Sequence, residues 1–441
     1  MREFFRSPVR ILPLGFLGVI ALGTVLLMLP AATESGEAPP FLTALFTSTS
    51  AVCVTGLVVV DTPAYWSSFG EGVIAMLIQV GGFGIMTFAS LMGFLVLGRL
   101  RLRNTLAAQA ETKTMQLGDV RRVLASVGLI TLAIESAVAA ILTVRFATTY
   151  GYETDHALWH GVFHSISAFN NAGFALYDDS LEGFATDGVV TLPISAAIVI
   201  GGIGFAVIAE ILQHRRRPRK WSIHTKITVA GTGILLAVGF FFYLVLEWNN
   251  TLAGFDMGEK VLTSFVSSVM PRTAGFNVLP MGDLETQTWA VTDVLMFIGG
   301  GSGGTAGGIK VTTFFLLAFV IWSELRGEPD VPAFRRTIHP QVVRQATTVT
   351  LLGFGLVAIG TFTLLSATSH SLDEVLFEAI SAFGTVGLST GITDDLGPVG
   401  EVMVTIMMYL GRVGTITVGA ALALRVRPRR YRFPNERPIV G

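Results

Sequence analysis

Apolar residues occur along the chain in long stretches that are separated by short polar segments. Eight of these stretches are long enough to cross the roughly 30 Å hydrocarbon core of a bilayer as a helix, which requires about 20 residues. The first has 20 residues, more than the roughly 7–15 of a secretory signal, so we expect a retained membrane helix. The pattern predicts an all-α polytopic membrane protein with eight transmembrane helices. The stretches cover residues 11–30, 72–97, 123–148, 189–213, 227–247, 289–323, 346–368 and 401–424.

The composition is typical of a chain that is solvated mainly by lipid. Apolar residues make up 51% of the sequence, charged residues make up 14%, and the mean hydropathy is +0.64, whereas soluble domains carry about 25% charged residues. The formal net charge of −1 argues against nucleic acid as a partner. The single cysteine, Cys53, excludes an intramolecular disulfide and a multi-cysteine metal site. No organic cofactor is expected.

Basic residues concentrate in alternate connections between the apolar stretches. Cytoplasmic segments of membrane proteins are enriched in Lys and Arg, so this asymmetry predicts that both termini lie in the cytoplasm. We expect a multi-pass protein of the cell (inner) membrane. The basic segments, residues 1–10, 98–122, 214–226, 324–345 and 425–441, hold 25 of the 30 lysines and arginines.

Four short segments between the stretches share one pattern, an amphipathic helix that leads into a turn of small residues with a glycine. The turn glycines, Gly56, Gly173, Gly275 and Gly387, are separated by 117, 102 and 112 residues. This near-constant period indicates four tandem copies of one unit, each a span, a pore helix and a second span. We assign the repeats to residues 11–100, 101–214, 215–325 and 326–424, with a cytoplasmic N-terminus at 1–10 and a basic cytoplasmic tail at 425–441.

The four turns are best accommodated around one central pore. Non-helical backbone at membrane depth is tolerated only where protein buries it or water reaches it. The turns contain no Asp or Glu, so backbone carbonyls would coordinate the ion, which suits K⁺ better than a divalent cation. The alternative is that these glycines only allow close helix packing. For the further glycine clusters in the second spans, both interpretations stay open.

The stretch at 289–323 contains the run GGGSGGTAGG. Seven glycines in ten residues are too many for a stable helix, at about 1 kcal/mol each relative to alanine, so the sixth span should break near its middle. A phosphate-binding loop is disfavoured, because no Gly-Lys-Ser/Thr follows the run. The run consists of Gly299, Gly300, Gly301, Ser302, Gly303, Gly304, Thr305, Ala306, Gly307 and Gly308.

The fourfold unit, with VTGL, NAGF, TAGF and TVGL at its turns, resembles the Trk/Ktr/HKT superfamily of potassium transporters, most of all the membrane subunit of the bacterial Ktr system. The resemblance covers essentially the whole chain. It implies K⁺ uptake, often dependent on Na⁺, by a homodimer that is regulated by a cytosolic nucleotide-binding ring of RCK domains. It also implies that 299–308 is an intramembrane gate. The filter backbone is then expected around Val54, Thr55, Gly56, Asn171, Ala172, Gly173, Thr273, Ala274, Gly275, Thr385, Val386 and Gly387.

Three basic residues within the membrane require an explanation, because a buried charge there is costly. Arg412 is expected to face a water-filled pore, where its charge would raise the barrier for cations and could bond the gate. The alternative is an arginine that ties two helices together. Lys310 is assigned to the gate region near the inner vestibule. Arg272, in the third turn, is expected to brace the outer loop.

Weaker signals leave several roles open. His156, His160 and His164 have the i, i+4 spacing of a zinc site, but an interfacial or pore-helix surface is favoured. Glu135 and Glu210 could each pair two helices or relay a cation. A second function also stays open, a carrier for a small organic solute with Na⁺ at a closed midplane site. Four similar quarters favour the pore, because such carriers show two related halves. No enzymatic activity is expected.

Overall fold

A computed structural model describes residues 8–105, 117–214, 217–414, 417–418 and 436. Within these residues the backbone forms fifteen α-helices and one two-stranded hairpin. The helices are α1 (Pro8–Leu27), α2 (Phe41–Cys53), α3 (Thr62–Tyr65), α4 (Ser68–Thr105), α5 (Leu117–Thr149), α6 (Thr154–Asn170), α7 (Gly188–Ile203), α8 (Phe205–His214), α9 (Ile223–Leu246), α10 (Met257–Val269), α11 (Thr286–Phe297), α12 (Val311–Leu325), α13 (Pro340–Ala367), α14 (Leu372–Gly384) and α15 (Gly397–Tyr409).

Helices occur at all eight positions that the apolar stretches predict. Within the described residues, α4, α5, α9 and α13 contain segments that are long and apolar enough to cross a membrane alone, and the bent pair α7 and α8 adds a fifth. The other three stretches correspond to α1, to α11 with α12, and to α15, which are shorter or interrupted. The prediction of an all-α polytopic membrane protein is confirmed. The four unbroken segments are Ser68–Phe88, Leu124–Thr149, Ile223–Leu246 and Pro340–Ala367.

The helices form four units that close into a ring. We call α2, α6, α10 and α14 the re-entrant helices, because each lies between two spanning elements and leads into a glycine turn. Each packs against the first span of its own unit, namely α1, α5, α9 and α13. Each also packs against the second span of the preceding unit: α6 against α4, α10 against α7, and α14 against α11. Because α15 of the last unit packs against α2 of the first, the four units surround one axis.

The re-entrant helices start and stop at local sequence signals. Two of them begin with capping boxes, formed by Asp256 with Glu259 and by Ser371 with Glu374. Their C-terminal halves are almost entirely buried, although they carry many Ser and Thr residues. Three of them end at a residue in the left-handed conformation: Val54, Asn171 and Thr385.

The fourth predicted stretch, 189–213, is not the single helix that we expected. Helices α7 and α8 meet at Gly204 with an angle of 97°. Gly204 has φ +99°, which L side chains rarely adopt. A β-carbon at this position would lie 2.9 Å from the amide nitrogen of Gly304 and 3.0 Å from the carbonyl oxygen of Ser302. The fourth span therefore breaks where the glycine-rich run packs against it.

A short hairpin between α12 and α13 was not predicted from the sequence. Its strands, β1 (Val331–Ala333) and β2 (Arg336–Ile338), pair antiparallel. The tip residues Phe334 and Arg335 have φ values of 47° and 65°, although neither is the Gly or Asn that such turns favour. The Phe334 ring makes an edge contact with Phe319 of α12, with 6.0 Å between centroids. The contact between Phe334 and Phe319 therefore helps to stabilise the hairpin against α12.

The predicted repeat boundaries stay predictions. The boundary between 100 and 101 lies within α4, which continues to Thr105. The predicted cytoplasmic ends, 1–10 and 425–441, lie mostly outside the described residues.

Candidate functional site

Each re-entrant helix leads into a turn with the same backbone pattern. We call residues 54–56, 171–173, 273–275 and 385–387 turns 1 to 4. Left-handed positions cost L residues roughly 1–2 kcal/mol each, so this repeated conformation must be imposed by the surroundings. The first residues of the turns, Val54, Asn171, Thr273 and Thr385, have φ values of 57°, 59°, 69° and 49°. The glycines that end them, Gly56, Gly173, Gly275 and Gly387, have φ values of 92°, 72°, 71° and 99°.

The four turns contact one another in a closed ring. A β-carbon added to Gly173 in turn 2 would lie only 2.8 Å from the carbonyl oxygen of Ala274 in turn 3. The other three glycines face the next turn even more closely, so only residues without a side chain fit there. One carbonyl oxygen from each turn therefore lies beside a neighbouring glycine around the common axis. The remaining pairs are Gly56 with Ala172, Gly275 with Val386, and Gly387 with Thr55.

Serine side chains anchor two of the four turns. In turn 1 the Gly56 amide donates to Ser50 Oγ at 3.0 Å, and in turn 4 the Gly387 amide donates to Ser381 Oγ at 3.1 Å. The corresponding hydroxyl in turn 2, that of Ser167, has no partner in the described part of the chain. The four turns thus share a backbone conformation, but they do not share the same side-chain hydrogen bonds.

The glycine clusters of the second spans allow close packing against the re-entrant helices. In three units, a β-carbon on the first glycine of the cluster would overlap a backbone carbonyl oxygen near the C-terminal end of that unit's own re-entrant helix. The packing interpretation is therefore confirmed for these three glycines. The pairs are Gly81 with Val52, Gly201 with Phe169, and Gly411 with Phe383.

The glycine-rich run interrupts the sixth span, as predicted. We call residues 299–308 the glycine-rich loop. Its ends are joined by a parallel bridge between Ile298 and Ile309, in which the Gly299 amide donates to the Ile309 carbonyl at 2.8 Å. The Val311 amide, at the start of α12, donates to the Gly300 carbonyl at 3.0 Å. The loop therefore leaves the span and returns to it at nearly the same point.

The middle of this loop contacts two turns that lie opposite each other in the ring. The Thr305 hydroxyl donates to Asn171 Oδ1 in turn 2 at 2.8 Å. Two residues later, a β-carbon on Gly307 would overlap the hydroxyl of Thr385 in turn 4. Turns 2 and 4 are not neighbours in the ring, so the segment between Thr305 and Gly307 crosses from one side of the axis to the other.

Two basic side chains hold the loop in this position. Arg412, 1% exposed, lies in the π-helical turn that follows α15 and donates through Nη1 to the Thr305 carbonyl. Lys310 donates to the carbonyls of Ala306 at 2.6 Å and Gly307 at 3.1 Å. Of the two interpretations of Arg412, the geometry favours the bond to the loop over a tie between helices. The effect of its charge on a passing cation stays a prediction.

Arg272 does not brace the outer loop as we expected. Its side chain is 5% exposed, and Nη2 donates to the carbonyl of Gly299, the first residue of the glycine-rich loop, at 3.1 Å. Its other guanidinium nitrogens have no partner among the described residues. Arg272 is also one of the residues that line a small cavity, together with Thr232 and Gly300. The expectation failed because sequence position within the turn does not reveal which way a long side chain extends.

The two glutamates singled out in the sequence, Glu135 and Glu210, each pair helices. Glu135 of α5 accepts from Gln79 of α4 at 3.2 Å and from Asn170, the last residue of α6, at 3.1 Å. Because Asn170 directly precedes turn 2, the hydrogen bonds between Glu135, Gln79 and Asn170 are adjacent to that turn. Glu210 of α8 accepts from the amide and the hydroxyl of Ser222, both at 2.7 Å, at the start of α9. Of the two roles left open, the contacts favour helix pairing.

The histidine row forms a packing surface rather than a metal site. His164 donates through Nδ1 to the His160 carbonyl at 2.7 Å, and its Nε2 accepts from the Leu176 amide at 3.3 Å. Both ring nitrogens are thus engaged. Tyr177 stacks on His164, and His156 lies 4.1 Å from His160 between ring centroids. Among the described residues, no group of three or more His, Cys, Asp or Glu side chains could hold a metal ion.

Carboxylates from several units approach one another in the loops that follow the turns. Burial, together with the neighbouring carboxylates of Asp179 and Asp283, raises the pKa of Glu182 to about 7. Burial and the charge of Asp178 likewise raise the pKa of Asp61. Several carboxyl groups therefore lie close together in these loops, and burial together with their mutual repulsion favours the protonated forms of Glu182 and Asp61.

The family described as "TrkH: Cation transport protein" matches residues 9–427. The chain belongs to the TrkH family of cation transport proteins. The predicted resemblance to the Trk/Ktr/HKT superfamily is thereby confirmed, as is the prediction of a transporter rather than an enzyme.

Relatives within the TrkH family align along nearly their whole length. Ktr system potassium uptake protein B of Bacillus subtilis (strain 168) is 37% identical over 437 residues, which cover 99% of this chain and 97% of the relative. Potassium/sodium uptake protein NtpJ of Enterococcus hirae is 34% identical over 443 residues, with coverage of 99% and 97%. Both alignments therefore cover nearly all of this chain and of the relative.

The fold also matches that of a solved structure. The crystal structure of the potassium transporter TrkH from Vibrio parahaemolyticus superposes with a TM-score of 0.69 over 91% of this chain and 83% of that chain. The sequences are 18% identical in this alignment. At this level of identity, the match establishes a common fold.

Proposed function

We propose that this chain takes up K⁺ across the cell membrane as the membrane subunit of a Ktr-type uptake system. The observation that carries the proposal is the closed ring of four turns, in which each glycine faces a carbonyl oxygen of the next turn. Full-length relatives named for potassium uptake support the same cation here.

The backbone of the four turns is proposed as the ion filter. Rings of carbonyl oxygens replace the hydration shell of a monovalent cation, and the glycines permit the close approach that such rings require. The hydroxyls of Thr55, Thr273 and Thr385 have no protein partner within the described residues, which leaves them free to bind water or an ion. No carboxylate lies in the turns, and divalent cations usually require carboxylates.

The glycine-rich loop is proposed as the gate. Support comes from its position, because the segment from Thr305 to Gly307 contacts turn 2 on one side and turn 4 on the other. A loop that crosses the axis beside a filter obstructs ions until it moves. Arg412 and Lys310 would hold it in place, and the charge of Arg412 would add to the barrier for a cation.

Several further features are proposed from the family resemblance. Uptake depends on Na⁺, and the name of the Enterococcus hirae relative includes sodium beside potassium for that protein. The chain forms a homodimer with one pore per protomer, and a cytosolic ring of nucleotide-binding RCK domains regulates it. Both termini lie in the cytoplasm, which the concentration of Lys and Arg in alternate connections supports. The four repeats keep the boundaries predicted from the sequence.

The alternative of a carrier for an organic solute has less support. Such a carrier needs a cavity at the midplane between broken helices. Here the two broken spans meet each other instead, since the glycine-rich loop packs against the bend at Gly204.

Uptake by the purified chain in proteoliposomes tests the proposal. We expect radioactive Rb⁺, a substitute for K⁺, to enter the vesicles. Excess external K⁺ should abolish this entry, Na⁺ should compete with it only weakly, and Mg²⁺ should leave it unchanged. Low external Na⁺ should accelerate the entry. Absence of Rb⁺ entry into vesicles that contain correctly inserted protein would contradict the proposed function, as would entry that K⁺ does not reduce.

A further inference from the structure

One side chain connects two turns of the ring with the glycine-rich loop. Asn171, 1% exposed, accepts through Oδ1 from the Thr305 hydroxyl at 2.8 Å and donates through Nδ2 to the carbonyl of Arg272 at 3.4 Å. Arg272 directly precedes turn 3. The equivalent first residues of the other turns are Val54, Thr273 and Thr385, so the chain has an amide side chain only at this one of the four positions.

A second contact joins the same three elements. The Arg272 guanidinium donates to the Gly299 carbonyl at 3.1 Å, at the first residue of the loop. Turn 3 is thus connected to the start of the loop directly and to its middle through Asn171. Turns 1 and 4 have serine anchors for their glycine amides, whereas the Ser167 hydroxyl of turn 2 has no partner among the described residues. Turn 2 therefore relies more on the bond to the loop.

Thr305 is the point at which these contacts meet the one from Arg412. Its carbonyl accepts from Arg412, its amide donates to the Gly201 carbonyl at 3.1 Å, and its hydroxyl donates to Asn171. A loop that swings away from the axis must break these bonds together. The buried Asn171 oxygen then loses its donor, which is unfavourable unless the side chain reorients. Reorientation would in turn release the carbonyl of Arg272.

We propose that Asn171 and Arg272 couple the gate to the filter, so that displacement of the glycine-rich loop changes turns 2 and 3 and lowers the preference for K⁺. The inference rests on the proposed function, because it takes the turns as filter and the loop as gate. Asn171 and Arg272 are positioning residues in this account. Selectivity is then a property of the closed arrangement and is not fixed by the four glycines alone.

A double-mutant cycle tests the coupling, with the ratio of K⁺ to Na⁺ competition against Rb⁺ entry as the readout. Thr305→Val removes the hydroxyl while keeping the shape. Asn171→Val removes the amide and introduces the residue that turn 1 itself carries at Val54. Each single change should lower the K⁺ preference about fivefold, the size of one neutral hydrogen bond. The double change should lower it no further than Asn171→Val alone, because the bond between Thr305 and Asn171 is already absent in that variant.

Two additional variants exclude a merely structural effect. Thr305→Ser retains the hydroxyl and should restore the parent preference. Arg272→Lys keeps the buried charge but not the reach to the Gly299 carbonyl, so the K⁺ preference should fall through turn 3 even if the Thr305 variants do not insert. Multiplicative effects in the cycle would overturn the coupling, as would an unchanged preference in Arg272→Lys. Absence of Rb⁺ entry in the parent chain would instead contradict the proposed function.

Discussion

The carbonyl oxygen of Thr55, in the first turn, faces the α-carbon of Gly387, in the fourth turn, so closely that no side chain could fit between them. This contact joins the first unit to the fourth and completes the ring of turns. The helix packing repeats the same closure, because α15 packs against α2. The four similar units therefore surround one site, and each unit contributes one glycine and one carbonyl to it.

Shortening the glycine-rich loop should increase transport. Deletion of residues 303–307 removes the segment that crosses the axis but keeps the bridge between Ile298 and Ile309. We expect faster Rb⁺ entry per inserted molecule and less dependence on a cytosolic regulator, because the obstruction is gone. Entry rates and melting temperatures should be measured on the same preparation. A folded, inserted deletion variant that is no faster than the parent would mean that the loop only fills space.

Arg412→Gln should raise maximal K⁺ flux. The substitution removes a buried charge and weakens the bond to the Thr305 carbonyl, and hydrogen bonds to charged groups contribute about 1.5–3 kcal/mol. An increase of roughly tenfold is therefore expected, since about 1.4 kcal/mol corresponds to a factor of ten. Arg412→Lys keeps the charge and serves as the matched control. A stable Arg412→Gln protein with unchanged flux would refute the barrier, whereas loss of folding would support a structural role.

Glu135→Ala should lower both stability and selectivity. The change removes the acceptor of the half-buried Gln79 amide and one of the three acceptors of the Asn170 amide. An unsatisfied polar group costs about 1–3 kcal/mol. Because Asn170 adjoins turn 2, the K⁺ preference should fall as well. Glu210→Ala is the matched control, since it removes a helix-pairing carboxylate that does not contact the turns and should reduce only the melting temperature. Equal selectivity in both variants would contradict the role of Glu135.

Stability should depend on pH through Glu182. Burial and the nearby carboxylates raise its pKa in the folded protein from the ordinary 4.5 to about 7. Folding is therefore favoured while the group is neutral, and this contribution is lost as pH rises from 4.5 through 7. Glu182→Gln should melt at a higher temperature than the parent at pH 8, with a difference that disappears toward pH 4.5.

The repeat, the turns and the break in the sixth span follow from the sequence, whereas the bend in the fourth span does not. The second spans of the first two units carry GGFG and GGIG at matching positions. Gly84, in the first, stays helical with nothing within 4 Å of an added β-carbon, while Gly204, in the second, bends because the glycine-rich loop packs against it. Local sequence cannot distinguish two glycines that differ only in their distant neighbours.

The side-chain contacts of the site show the same limit. The residue types of the four turns predict that backbone carbonyls coordinate the cation, because the turns contain no carboxylate. The hydrogen-bond partners of Arg272 and Asn171 depend on how the third unit packs against the second. The spacing of these residues in the sequence does not encode that packing. The hairpin between α12 and α13 was missed for a related reason, since its tip lacks Gly and Asn.

The most direct test of the central claim, that the four turns form one ion filter, is the K⁺ over Na⁺ preference of four single glycine variants. Gly56→Ala, Gly173→Ala, Gly275→Ala and Gly387→Ala each place a methyl group against a carbonyl of the next turn. Gly233→Ala, where the added group meets nothing within 4 Å, is the matched control. Competition of K⁺ and Na⁺ against Rb⁺ entry should be measured in proteoliposomes.

The account predicts that all four turn variants lose K⁺ preference by about tenfold or more, because a strained left-handed residue and a displaced carbonyl cost roughly 1–2 kcal/mol. The Gly233→Ala control should retain the parent preference. An unchanged K⁺ preference in all four turn variants, at normal insertion, would contradict the account.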